Sequence, residues 1–203
     1  MLTLSQYGVT LKRLEINDIE EVRNWRNFHY IQNKMQFTED ISSEMQLIWF
    51  NSINNKLNYY FIIIDQNGKR VGLINSKNVD LKNKNGEGGI FISDRAVWNT
   101  ITPAVASVIL LNFSLCCLQS FDRSLITIIK SNTSAINYNN KLGYSVVDED
   151  DFAVRMELTK ESYVHSAKTY LKALDKLYPN DKELIISGSV SDINIQEIND
   201  LLK

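Results

Sequence analysis

Gly89-Ile90-Phe91-Ile92-Ser93-Asp94-Arg95-Ala96-Val97-Trp98-Asn99-Thr100-Ile101-Thr102-Pro103 is the stretch that decides the fold. Its first five residues form an apolar run between a glycine and an aspartate, which suits a strand. Pro103 suits the first position of a helix, where its missing amide hydrogen would have no partner, and Thr102 before it can serve as the N-cap. Residues 104–118 then read as a helix that is apolar on almost every side, with Val105, Val108, Ile109, Leu110, Leu111, Phe113 and Leu115. Such a helix is buried on most faces against a sheet.

Working outward, Leu125 to Ile129 is β-branched and strand-like. Ser131-Asn132 caps a helix that runs through Leu142, and Gly143 supplies its left-handed stop. Tyr144 to Val147 and Val154 to Leu158 read as two closing strands. Upstream, Tyr59 to Ile64, a turn at Asp65-Gln66-Asn67-Gly68 and Arg70 to Ser76 read as a hairpin. Tyr7 to Leu14 reads as a first strand, followed by helices over Ile19 to Phe28 and from Ser42 or Ser43 to Ile53. The order β, α, α, three strands, helix, strand, helix, two strands predicts an α/β layer arrangement around a mixed sheet. From Thr159 the pattern changes: a helical run with Tyr163, Ala167, Tyr170, Leu171, Leu174 and Leu177 stops at Pro179, then come a strand-like Leu184 to Ile186 and a helix over Ile193 to Leu202. We divide the chain into a domain over 1–158 and a mostly helical C-terminal extension over 159–203.

The 203 residues suffice for one sizeable core and leave no room for two enzymes. A net charge of -2 with dispersed Lys and Arg argues against nucleic acid as partner. No apolar run approaches the roughly 20 residues that span a bilayer, and the start lacks a signal-peptide layout, so no membrane and a cytoplasmic location are expected. Cys116 and Cys117 are adjacent in an apolar run, without metal-ligand spacing, and read as core residues; no metal is expected.

Three segments resemble the GNAT superfamily of acyl-CoA-dependent N-acetyltransferases. Gly89 to Asn99 resembles its fourth strand and the approach to its CoA loop. Asn132-Thr133-Ser134-Ala135-Ile136 through Lys141-Leu142-Gly143-Tyr144 resembles its Asn-x-x-Ala-Ile to Lys-Leu-Gly-aromatic helix. Val22-Arg23-Asn24-Trp25-Arg26-Asn27, with Ile41 to Glu44 and Gln46 to Phe50, resembles the branch that acetylates amino groups of nucleotide-linked sugars. The resemblance covers residues 7 to about 158. It implies a mixed, mostly antiparallel sheet flanked by helices, acetyl-CoA as co-substrate, a small-molecule amine as acceptor and a homodimer as an allowed assembly. A protein N-terminal acetyltransferase and a catalytically degenerate GNAT-fold binding module stay open as alternatives.

By the same resemblance, Ile92, Asn99, Thr100, Ile101, Thr102, Ala104, Asn132 and Asn139 are the residues expected to hold CoA. Two departures stand out. The family's loop carries two glycines that let a diphosphate approach backbone amides, and here Ile101 and Pro103 fill those places. Residues 98–103 therefore also read as a plain helix-entry loop, with donors at Thr100, Thr102, Ala104 and Val105. The tyrosine that protonates the leaving thiolate in the family is replaced by Asn139, with Tyr138 one residue earlier, about 100° away on a helix. Asn139 and Tyr138 are the acid candidates, Tyr138 reading equally as core and Asn132 as an N-cap. Glu87, at the start of the strand, is the base candidate, its alternative a solvated turn residue. Arg26, Asn27, His29 and Trp49 are expected around the acceptor, with Arg26 suited to a phosphate through its planar fork; a solvated helix charge, a structural histidine and a core tryptophan are the competing readings.

Overall fold

A computed structural model describes residues 1–118 and 121–188. Their strands form a nine-stranded sheet in the order β7-β8-β6-β5-β4-β3-β2-β1-β9. In chain order these are β1 (Thr3–Gln6), β2 (Val9–Arg13), β3 (Tyr59–Ile64), β4 (Arg70–Asp80), β5 (Asn85–Ile92), β6 (Arg123–Ile129), β7 (Ser145–Glu149), β8 (Ala153–Thr159) and β9 (Ile185–Ser187). All neighbours are antiparallel except β5 and β6. The helices are α1 (Ile19–Arg26), α2 (His29–Gln32), α3 (Ser43–Ile53), α4 (Thr102–Leu111), α5 (Thr133–Leu142) and α6 (Lys160–Leu177). This is the α/β fold that the element order predicts.

The run Tyr60-Phe61-Ile62-Ile63 shows why both faces of the sheet are covered. Side chains alternate across a strand. Phe61 and Ile63 pack under α4, α5 and α6, whereas Tyr60 and Ile62 pack under α1 and α3. A strand covered on both sides needs a continuous apolar run, which β3 has.

Several boundaries differ from the sequence reading. The first strand is two strands, β1 and β2, because Tyr7 and Gly8 both take positive φ (51° and 74°) and turn the chain back. The helix over Ile19 to Phe28 ends at Arg26, and α2 begins again at His29. Helix α4 starts at Thr102 with Ile101 as N-cap, which puts Pro103 at the second helical position. Its continuation, Asn112–Cys117, is π-helical. Asn132 does cap α5, accepting from the Ala135 amide, and Gly143 ends it at φ 101°.

The described part of the extension is folded onto the core. Tyr163, Ala167, Leu171 and Leu174 form a stripe on α6 buried with α4. A buried hydrogen-bond chain fixes the arrangement: the Tyr163 hydroxyl donates to Asn112 Oδ1 (2.6 Å), Asn112 Nδ2 to Gln6 Oε1 (3.3 Å), and Gln6 Nε2 to the Lys182 carbonyl (2.7 Å). Strand β9 then pairs with β1. The expected helix over Ile193 to Leu202 lies outside the described residues. Cys116 and Cys117 lie in the core. No described helix is long and apolar enough to cross a membrane.

Candidate active site

The sheet opens where the one parallel pair among the described strands parts. Strands β5 and β6 are in register over Asn85↔Arg123, Gly86↔Ser124 and Glu87↔Leu125 and nowhere further. Beyond that point Gly88 to Ile92 pairs only with β4, and Ile126 to Ile129 only with β8. The result is a V whose apex is Gly88 and whose mouth lies at the start of α4. Along it, the β5 backbone has unpaired hydrogen-bonding groups, which an extended ligand carrying amides can satisfy as a missing strand would.

Loop 94–101 is built differently from a glycine turn. No residue between Ser93 and Pro103 has positive φ, so the path needs no glycine for conformational reasons. Aromatic side chains hold it. The Trp98 indole N–H donates to the Ile92 carbonyl (3.1 Å), the Tyr30 hydroxyl donates to the Ser93 carbonyl (2.6 Å), and the Arg95 guanidinium sits over both rings. In the first turn of α4, the Thr102 amide donates to Thr100 Oγ1 (3.3 Å), Val105 donates to the Ile101 carbonyl (3.0 Å), and Thr100 donates to the Val97 carbonyl (3.1 Å). Of the four expected amides, Ala104 alone keeps its N–H available among the described residues. The CoA candidates thus separate: Ile92 lies on the V, its carbonyl already engaged; Ala104 offers a donor at the mouth; and Asn99 and Ile101 are exposed on the loop. The residues fit an extended amide-bearing arm well and offer a diphosphate one free amide plus the helix dipole. A cavity of about 130 Å³ lies behind the loop, between Thr100, Thr102 and Tyr178 of the extension.

The acid candidates are both occupied. Asn139 Nδ2 donates to the Ala135 carbonyl one turn back in its own helix (2.8 Å). The Tyr138 hydroxyl donates to the Pro103 carbonyl (3.1 Å) and pairs with Ser107 Oγ (2.7 Å), clamping α5 to the start of α4. Burial pushes its pKa up to about 12, against the opposing Ser107 hydrogen bond. Asn132 uses its side chain as a cap.

On the opposite face, under α1 and α3, Glu87 pairs with Lys77 (3.3 Å) and lies close enough to Tyr60 to influence it, as does Arg26. Burial pushes Tyr60 up to about 12, with Arg26 lowering it and Glu87 raising it. Arg26, the last residue of α1, is half-buried with no carboxylate partner among the described residues, and burial lowers its pKa. Trp49 stands edge-on to Tyr60 at 5.2 Å. Gln46, one turn earlier on α3, is 2% exposed and its Nε2 has no hydrogen-bond partner. Asn27 does something else: it holds Ile41 by both its amide and its carbonyl oxygen, fixing the loop after α2. His29 is exposed, and its ring pairs with the Asn33 side chain. The structure therefore brings Arg26, Trp49 and Glu87 together around Tyr60 and leaves Asn27 and His29 to the side. Tyr60 carries no motif; Gln46 opens the Gln46 to Phe50 piece, and its i, i+3 spacing to Trp49 on an otherwise apolar helix face is the further signal.

A sheet parted between two parallel strands, with a helix opening at the mouth of the gap, defines the acyl-CoA-dependent acyltransferase architecture. Residues 11–154 match the family model of the acetyltransferase (GNAT) domain. The chain belongs to the GNAT acetyltransferase family. Among solved structures it is similar to the spermidine N-acetyltransferase from Vibrio cholerae in complex with CoA and spermine, at 17% identity and TM-score 0.68 over 77% of this chain and 98% of that one. It is also similar to apo FdhC, a nucleotide-linked sugar GNAT, at 20% identity and TM-score 0.70 over 85% and 98%. A domain from Methanocaldococcus jannaschii shares the fold at 18% identity and TM-score 0.64, over 74% and 97%. No curated protein sequence matches.

Proposed function

We propose that this protein transfers an acetyl group from acetyl-CoA to the amine of a small acceptor, an amino sugar carried on a nucleotide. The parting of β5 and β6 carries the first half of this reading: it offers an unpaired strand edge to the pantetheine amides, and acyl transfer gains chiefly from placing two substrates and stabilising an oxyanion on backbone donors. Arg26 supports the second half. A half-buried cation without a carboxylate partner among the described residues, on the face where α3 also carries Gln46 with an unused donor, suits an acceptor that brings an anion and oxygen atoms. It suits a polyamine poorly, since a second ammonium would face a guanidinium. Glu87, on the same face, is the group to which this reading gives the amine's proton, through water. A cytoplasmic location and assembly as a homodimer belong to the same reading; light scattering checks the second.

Calorimetry with acetyl-CoA at millimolar concentration tests the donor, and turnover across nucleotide-linked amino sugars, polyamines and peptides tests the acceptor. The expected result is CoA binding, with the nucleotide-linked sugars turned over fastest and Arg26→Gln raising their KM about tenfold, the loss of about 1.4 kcal/mol that one charge-assisted hydrogen bond represents. Absence of CoA binding sinks the reading, and fastest turnover of peptides or polyamines sinks the acceptor assignment. The first turn of α4, with Ala104 as its remaining free amide, favours a second reading, a GNAT module that has lost catalysis. Wild-type protein without turnover, whose Ile101→Gly/Pro103→Gly variant gains CoA affinity, is the outcome that selects it.

A further inference from the structure

The apex of the V carries two hydroxyls, neither of them an acid candidate of α5. Tyr144, the residue after the α5 stop, and Ser124, the second residue of β6, hydrogen-bond to each other at 2.7 Å and are 6% and 4% exposed. Both point at Gly88. A β-carbon placed on Gly88 would stand 3.3 Å from Ser124 Oγ and 3.5 Å from the Tyr144 hydroxyl. Gly88 is the first β5 residue without a β6 partner, so the hydroxyl pair sits where the gap begins, at the end remote from α4. An acyl donor held by its diphosphate end at α4 and extended along β5 brings its thioester to that end.

The alternation of the strand puts acid and base on opposite sides. Glu87 faces Tyr60 and Arg26 under α1 and α3, and Gly88, one residue on, faces Tyr144 under α5. The amine therefore approaches from one face while the sulfur leaves toward the other. The other two candidates for a proton donor are held away from the apex, Asn139 turned back onto Ala135 in its own helix and Tyr138 tied to Pro103 and Ser107 at the start of α4.

The geometry points to Tyr144, supported by Ser124, as the group that protonates the departing CoA sulfur. This rests on the acyl-transfer reading above. The amine nitrogen bonds to the thioester carbonyl carbon and gives up a proton through Glu87 to water; the carbon–sulfur bond breaks with its electron pair on sulfur; sulfur takes the Tyr144 proton; and a solvent proton restores the phenol after product leaves. Amide and free thiol are the only products. An ordinary phenol is protonated at neutral pH, and Tyr144 stays so: burial raises its pKa, partly offset by the Ser124 hydrogen bond.

Tyr144→Phe keeps the buried ring and removes only the oxygen. It is expected to lower kcat about 10²-fold, the ordinary scale for loss of a general acid, with the KM for acetyl-CoA within twofold. Ser124→Ala is expected to lower kcat several-fold. A second readout needs no acceptor: calorimetry of CoA against desulfo-CoA, in which the wild type prefers CoA and Tyr144→Phe loses that preference while its affinity for desulfo-CoA stays unchanged. A Tyr144→Phe protein with kcat within twofold of wild type, or with the sulfur preference intact, overturns the assignment and leaves acyl transfer standing. A wild type that binds neither compound overturns both. Equal weakening toward CoA and desulfo-CoA marks a packing role and also overturns the assignment.

Discussion

Under α4, α5 and α6 the sheet buries a cluster of 34 apolar residues among those described, whereas under α1, α2 and α3 the corresponding cluster has nine. The larger face resolves its buried polar side chains internally: Asn112, Tyr163 and Gln6 satisfy one another, as do Tyr144 and Ser124, and among the described residues the small Ser114 hydroxyl is the side-chain group left unpaired there. The smaller face keeps Gln46 Nε2 and Arg26 Nε without partners and is anchored by ions, with Asp18 buried between Lys12 (3.1 Å) and Arg70 (2.9 Å). An unpaired buried donor costs free energy, and a fold tolerates that where a ligand supplies the acceptor. The contrast teaches that apolar burial is concentrated on one face, while the other keeps unpaired donors of the kind a ligand can use.

Substitutions on the two faces should separate accordingly. Phe113, fully buried and edge-on to Tyr59 and Phe61, belongs to the larger face, and Phe113→Ala should cost about 3–5 kcal/mol in urea unfolding through the cavity it leaves. Asp18→Asn should cost about 2 kcal/mol at neutral pH, less than the about 3–5 of a fully buried pair, because Lys12 and Arg70 keep partial access to water. Its pH dependence is the sharper test. Hydrogen bonds from the Glu15 amide, Lys12 and Arg70 outweigh burial and lower the Asp18 pKa, so its contribution is complete above the ordinary aspartate range and is lost as pH falls through the lowered folded value. Wild-type and Asp18→Asn stability curves should run apart from pH 7 to about 5 and converge below about 4. Tyr163→Phe should cost about 1.5 kcal/mol by stranding Asn112 Oδ1 in the core. Ile48→Ser, at a 62% exposed site on α3, should change stability by no more than about 0.5 kcal/mol. A larger effect at Ile48 than at Tyr163 would break the division between the faces.

The order of elements was legible because its signals are local. The apolar run before Asp94, the proline near the start of α4, Asn132 and Gly143 each act within a few residues of themselves. The divided first strand was hidden because Tyr7, not a glycine, takes the first left-handed position of the turn. The site was legible only in part. Glu87, Arg26 and Trp49 were named and lie around Tyr60, but sequence spacing could not reveal that Asn139 turns back onto Ala135 or that Trp98 closes the end of β5. The partnership of Ser124 with Tyr144 joins positions 20 apart on either side of α5, and no periodicity reports a contact made by tertiary packing.

Strand β9 meets β1 in the register Thr3↔Ser187, a separation of 187 − 3 = 184 residues. Loop closure on that scale costs entropy before any contact repays it, and folding slows as contacts become more remote in sequence. The outer edge of β1 therefore waits, exposed, until nearly the whole described chain has been assembled, and an edge in that condition invites pairing with another molecule. Aggregation during refolding should accordingly depend more steeply on protein concentration than the stability of the finished fold would suggest, and a clasp of the two segments by a disulfide is the direct way to relieve it.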